Sequence, residues 1–166
     1  MERNLESAEA LEKLKEIVEA VNVCMFITSP DQNESARPMA TIHTGDDGTL
    51  WFFTNRTSGK VHELNVDHVV HLIYAHPGKN AYMDVWGLAN VVADRQKIKE
   101  LWKPMVKAWF PEGEDDPQLC LLKVKPNDVY YWDNENGKMV EFVKVMTAVV
   151  TGKPVADAVE GSLELP

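Results

Sequence analysis

The sequence predicts a mainly β fold with flanking helices, built around a small antiparallel barrel of about six strands. Three observations carry this. Six or so β-branched and aromatic runs are bounded by turn residues. Strand and helix signals do not alternate regularly, which argues against a doubly wound parallel sheet. Gly87 sits inside a long apolar strand, where glycine marks a bulge or a barrel bend. With 166 residues, 45% of them hydrophobic, residues 1–155 read as one domain and 156–166 as a tail, loose or docked last.

The elements follow in order. Residues 5–21 have helical spacing, with Leu11, Leu14, Val18 and Val21 on one face and Asn4 or Ser7 as the cap. "VNVCMFITS" is a buried strand, and "PDQNESA" is a polar turn. "MATIHT" and "LWFFT" flank the turn "GDDG" and read as a β-hairpin. "VHELNVD" suits a short helix that Ser58 could cap. "HVVHLIYAH" and "AYMDVWGLANVVAD" are strands; along the second, Met83, Val85, Gly87, Ala89 and Val91 share one face. Asp94 opens a helix that Pro104 kinks or divides. "LCLLKVKPNDVYYW" is a strand interrupted at Pro126, and residues 138–152 suit a helix, with a strand as the alternative.

The formal charge of −9 argues against nucleic acid and against anionic lipid as partners. The charged N-terminus has no apolar core, so no signal peptide is expected, and no run reaches the length of a membrane span. Cys24 and Cys120 each sit in an apolar run and read as reduced core thiols of a cytoplasmic protein.

Most standard motifs are absent. "TNRTSGK" lacks the first glycine of a phosphate loop, and Val61 follows its lysine. "HELNV" lacks the second histidine of a zinc protease. His68 and His71, three apart in a strand, point to opposite faces, so no metal site is expected. Asp84 reads as a partnered carboxylate and "EGEDDP" as a solvated turn.

The polar trim of the hairpin is the candidate site. Arg37 offers a planar fork of donors, Lys60 a point charge, and Ser58 a hydroxyl at a helix start with free backbone N–H groups. If the hairpin holds, these groups converge on a phosphate. Met39, Ala40 and Phe53 could then wall a flat ring. The competing reading pairs Arg37 with a surface carboxylate and leaves Lys60 in water. Trp102 and Trp109, seven apart, share a helical face if the helix continues past Pro104. They then serve the core or a subunit interface, or pack on a cofactor ring.

Taken together, "RPMAT", "LWFFTNRTSGK", "YMDVWGLA", "ELWKPMVKAWFPEGEDDP" and "VYYWD" resemble the general stress protein 26 branch of the pyridoxamine 5′-phosphate oxidase-like flavoproteins, over residues 10–155. The resemblance implies an FMN-binding split β-barrel that forms a homodimer, with flavin between the subunits. It assigns the phosphate to Arg37, Ser58 and Lys60, with Gly59 between the last two also cofactor-binding, and the ring to Pro38, Met39, Ala40, Thr41, Phe53 and Thr54. Trp109 and Trp102 are its candidates for contact from the second subunit. It implies flavin-mediated oxidoreduction with a small-molecule donor or acceptor and names no catalytic side chain. A flavin-binding sensor or store, or a deazaflavin-dependent reductase, are the alternatives. This sequence departs from true pyridoxamine phosphate oxidases, whose arginine-rich motif after a tryptophan grips the substrate phosphate: here the chain reads "WDNENGKMVEF" from Trp132, and residues 133–166 hold no arginine.

Overall fold

The computed structural model describes residues 5–28, 35–133 and 159–165. The expected turn after Thr28 and the expected helix over 138–152 lie outside the described residues. The chain runs through β1 (Leu5–Glu6), α1 (Ser7–Val21), β2 (Val23–Thr28), β3 (Ser35–Ala40), β4 (His43–Thr44) and β5 (Leu50–Asn55). It continues through α2 (Gly59–Val66), β6 (Val69–His76), β7 (Ala81–Val92), α3 (Arg95–Leu101), a 3-10 helix (Pro104–Ala108), β8 (Leu119–Asp133) and β9 (Val159–Glu164).

The fold is mainly β with helices, as expected, but the sheet is larger and mixed. Among the described residues nine strands join in one sheet, where the sequence predicts six antiparallel ones. The difference lies at the chain ends: residues expected to form a tail supply β9, which pairs antiparallel with β8 and parallel with β1. Every pairing in the run β3–β2–β6–β7–β8–β5 is antiparallel. α1 packs on this sheet through Leu14, Ile17 and Val18. Its N-cap is Glu6 rather than Ser7, and no side chain closes that end.

The expected hairpin is confined to its turn. β4 pairs with only the first two residues of β5, and β3 pairs along its whole length with β2. The chain changes partner at two residues: Thr41 donates its N–H to Asn22 O, and Ile42 donates to Trp51 O. β2 offers β3 a full-length edge, and β8 does the same for β5. The turn itself is as expected, with Gly48 at φ 80.

Burial follows the pleat. Phe26 and Phe52 meet edge to face, 5.2 Å between centroids, within a core that includes Leu72, Val85 and Leu122. On the other side of β5, Phe53 joins Ile98, Leu101, Val106, Leu119 and Leu121 beneath α3. Asp94 caps α3 by accepting from Gln96 N–H and Lys97 N–H, and Pro104 divides the helix as expected. β8, by contrast, runs straight through Pro126. The register shifts between Trp86 and Gly87, so Pro126, lacking an N–H, faces Gly87 where the ladder is already broken.

Both cysteines are buried and free. Burial pushes the Cys24 thiol up to about 12. Among the described residues, no helix is long and apolar enough to cross a membrane.

Candidate functional site

At one end of β2 and β3, strand alternation sends Thr28, Arg37 and Met39 to the inner face, and α2 brings Glu63 to Thr28 and Arg37. Arg37 Nη2 donates to Glu63 Oε2 at 2.9 Å. Thr28 Oγ1 donates to the same carboxylate oxygen. The other terminal nitrogen, Arg37 Nη1, is buried without a hydrogen-bond partner, the one such side-chain atom among the described residues. A guanidinium N–H removed from water with nothing to bond costs free energy, so this nitrogen calls for an acceptor.

β5 and α2 bring the second cation. Lys60 Nζ donates to Thr54 Oγ1 at 2.9 Å, and Thr54 Oγ1 lies 3.4 Å from Ser58 Oγ. Burial lowers the Lys60 pKa, and the nearby Arg37 charge lowers it further. Ser58 occupies the N-cap position of α2, yet its hydroxyl makes no cap bond. The first-turn N–H groups of α2 therefore lack the usual side-chain acceptor. A Cβ placed on Gly59 would find only Glu63 Oε1, at 3.9 Å, so the helix start is open. Two cations and one carboxylate leave a net positive pocket of backbone and side-chain donors. That is a site for a small polyanion.

Arg37, Ser58, Gly59 and Lys60 thus come together as expected, although the hairpin does not bring them there. The pairing of Arg37 with a carboxylate also holds, for one of its two terminal nitrogens. The ring-lining set does not share one face. Met39 is buried in the core, and Thr41 bonds Tyr74 through their hydroxyls at 2.6 Å. Pro38 and Ala40 are exposed on the opposite side of β3. Phe53 turns toward α3, edge-on to Trp102 at 5.7 Å.

Because Pro104 ends α3 early, Trp102 and Trp109 do not form one helical stripe. Trp102 packs in the Phe53 cluster, whereas Trp109 is 69% exposed. Asp84 has its partner, His71, which stacks on Trp86 at 4.3 Å. Among the described residues, no cluster of His, Cys, Asp or Glu could hold a metal. Cys120 of β8 lies opposite Thr54 in the ladder, and burial raises its pKa against the pull of Arg56, Lys60 and Arg95.

Thr28 and Glu63 were not anticipated. Glu63 had one usable signal, its position one helical turn after Lys60 on the same face. Thr28 had none, since its role depends on β2 pairing with β3.

Glu63 also makes a pH-dependent contribution. The Thr28 hydrogen bond, opposed by burial and aided by Arg37, lowers its pKa below 4.5. A carboxylate depressed in the folded state stabilises above its unfolded pKa and loses that contribution as pH falls through the folded value. The stability difference between wild type and Glu63→Gln should therefore shrink between about pH 6 and pH 3 in urea titrations. A difference constant across that range would show that the ionised carboxylate is not the stabilising form.

The chain is similar to known proteins in sequence and in fold. Residues 9–156 match the family model "Pyridoxamine 5'-phosphate oxidase like". The protein bli-3 of Neurospora crassa is 29% identical over 128 residues, covering 72% of this chain. This chain spans 61% of the length of bli-3. The crystal structure of a general stress protein 26 from Jannaschia sp. CCS1 superposes with a TM-score of 0.77 at 22% identity, covering 95% of this chain and 99% of that one. The general stress FMN/FAD binding protein of Xanthomonas citri gives a TM-score of 0.68 at 26% identity, over 79% and 93% of the two chains. Since the family model spans β2 to β8 and both sides of the cationic pocket, the chain belongs to the pyridoxamine 5′-phosphate oxidase-like family.

Proposed function

We propose that this protein is an FMN-binding flavoprotein, with the FMN phosphate held by Arg37, Lys60, Ser58, Thr54 and the start of α2. The observation that carries the reading is Arg37 Nη1, buried and lacking an acceptor, in a pocket of net positive charge. The likeness to a protein described as FMN/FAD binding supports the choice of flavin. In this reading the six strands from β3 round to β5 form the family's split barrel. The ring lies along the exposed side of β3, against Pro38, Ala40 and the backbone of Met39 and Thr41.

The flavin supplies electron or hydride transfer; the protein supplies binding, orientation and access. Arg37 and Lys60 fix the phosphate end and so set where the ring reaches. Pyridoxamine phosphate is a poor candidate substrate, because residues 133–166 offer no arginine for a second phosphate.

A second copy of the chain completes the site in this proposal. Val23, Met25, Ile73, Tyr82, Leu88 and Trp132 are large, exposed apolar side chains on the outer face of β2, β6, β7 and β8. The register sets Met25 opposite Ile73 and Tyr82 opposite Trp132, with Asp84, bonded to His71, opposite Ile73 on the same face. In this reading these exposed apolar side chains on one sheet face form the association surface. Trp109, exposed beside the Phe53 cluster, is then available to a neighbouring subunit.

Titration of the flavin-free protein with FMN, followed by fluorescence, tests the proposal. Binding at micromolar concentration, tighter than that of riboflavin, is expected, and the loaded protein should sediment at twice the chain mass. No binding at that concentration would remove the flavin reading. A flavin-loaded single chain would remove the dimer. Steady oxidation of reduced nicotinamide by the loaded protein separates an enzyme from a flavin store.

A further inference from the structure

The Arg37 fork is not free to turn. Its Nη2 is held by Glu63 Oε2, and that oxygen also accepts from Thr28 Oγ1. Thr28 is fully buried on β2, opposite Ser35 of β3, and Glu63 is carried by α2. The carboxylate is therefore anchored from a strand and a helix at once, leaving only Nη1 of the fork unoccupied. An acidic residue in an anion pocket is otherwise unfavourable: it repels a phosphate and cancels one of two cations.

We propose that Glu63, anchored by Thr28, is a positioning residue that aims Arg37 Nη1 at the ligand phosphate and thereby sets the preference for a phosphorylated flavin. The proposal rests on the phosphate reading above. The alternative role, a carboxylate that stands in for the phosphate and competes with it, predicts effects of opposite sign.

The geometry supplies a clean separation, because both hydrogen bonds end on one oxygen. In Glu63→Gln, a single carbonyl oxygen can accept from both Arg37 and Thr28, so the pose survives without the charge. In Glu63→Ala the pose is lost along with the charge. In Thr28→Val a near-isosteric side chain removes the anchor and leaves the carboxylate.

The readout is the ratio of riboflavin Kd to FMN Kd, which cancels any change in ring binding. Wild type should show a ratio well above one. Glu63→Ala should lower it about tenfold, the scale of one charge-assisted hydrogen bond, and Thr28→Val about threefold. Glu63→Gln should keep or raise it, since a dianion gains from the lost negative charge. Thermal unfolding of each variant confirms that it is folded, and Thr28→Val and Glu63→Gln serve if Glu63→Ala is not.

A ratio raised in Glu63→Ala would overturn the proposal in favour of competition, and an unchanged ratio would overturn it outright. A ratio in Glu63→Gln as low as in Glu63→Ala would overturn positioning through the shared oxygen. A wild-type ratio of one sinks the phosphate reading itself, a result distinct from all of these.

Discussion

Arg37→Ala is expected to weaken FMN binding by about 1.5–3 kcal/mol, roughly 10- to 150-fold in Kd, the scale of hydrogen bonds to a charged group. The reasoning starts from the fork. Of its two terminal nitrogens, one is spent on Glu63 and the other is buried without an acceptor. A phosphate oxygen at Nη1 would make a charge-assisted bond where water is excluded, so the gain is not diluted by screening.

The neighbouring lysine cannot take over. Lys60 donates to Thr54, and burial already disfavours its charge, so it contributes a second contact rather than a substitute. Arg37→Lys keeps one positive charge but not the planar fork. A lysine that reaches Glu63 leaves the phosphate, and one that reaches the phosphate leaves Glu63. Its affinity should fall between wild type and Arg37→Ala. Riboflavin binding should change little in either variant. Isothermal titration with both ligands checks this. An FMN affinity unmoved by Arg37→Ala would place the phosphate elsewhere, and an equal loss for riboflavin would point to damage of the strand.

The pattern of what was legible in the sequence has a physical cause. Several local signals are legible: the GDDG turn, the Asp94 cap, the break at Pro104 and the bulge at Gly87 each depend on residues within a few positions, whereas Pro126 does not interrupt β8 and Ser7 does not cap α1. Partner choice was not legible. The apolar runs on either side of GDDG say that two strands exist. They do not say that β3 will take the nearby edge of β2 in preference to β5, or that β5 will take β8, whose residues Leu119 to Val124 lie far along the chain. Arg37 and Lys60 nevertheless ended in one pocket, since the two short connections around β4 keep β3 and β5 adjacent even as they part.

The same distinction separates the site residues. Arg37, Ser58 and Lys60 are polar groups at element ends, a local anomaly visible in sequence. Met39 and Thr41 belong to the alternation of β3, and only the identity of its inner neighbours shows that they serve the core. Thr28 matters solely through Glu63, so no local reading could single it out.

Gly87→Ala should destabilise the fold by about 2–3 kcal/mol, the range for forcing an added methyl into a packed site. A Cβ at this position would stand 2.5 Å from Lys125 O, and 3.1 Å from both Lys125 C and Pro126 Cα. All three are backbone atoms of β8, so no side chain can rotate aside; the strand itself must move. β7 and β8 form the longest pairing in the sheet, and the shift between Trp86 and Gly87 sets the register of residues on both sides of it. Displacing β8 here therefore disturbs Val85 against Val129 as well as Ala89 against Val124.

Gly59→Ala provides the contrast. Its added Cβ would meet nothing nearer than Glu63 Oε1 at 3.9 Å, so that variant should be neutral to about 1 kcal/mol more stable through the unfolded chain. In thermal unfolding, Gly87→Ala should melt roughly 5–10 °C below wild type. Gly59→Ala should melt at or above it. If the two variants melted alike, the added Cβ at Gly87 would carry no steric cost of its own. The close approach of β8 to β7 would then have no part in holding the sheet in register.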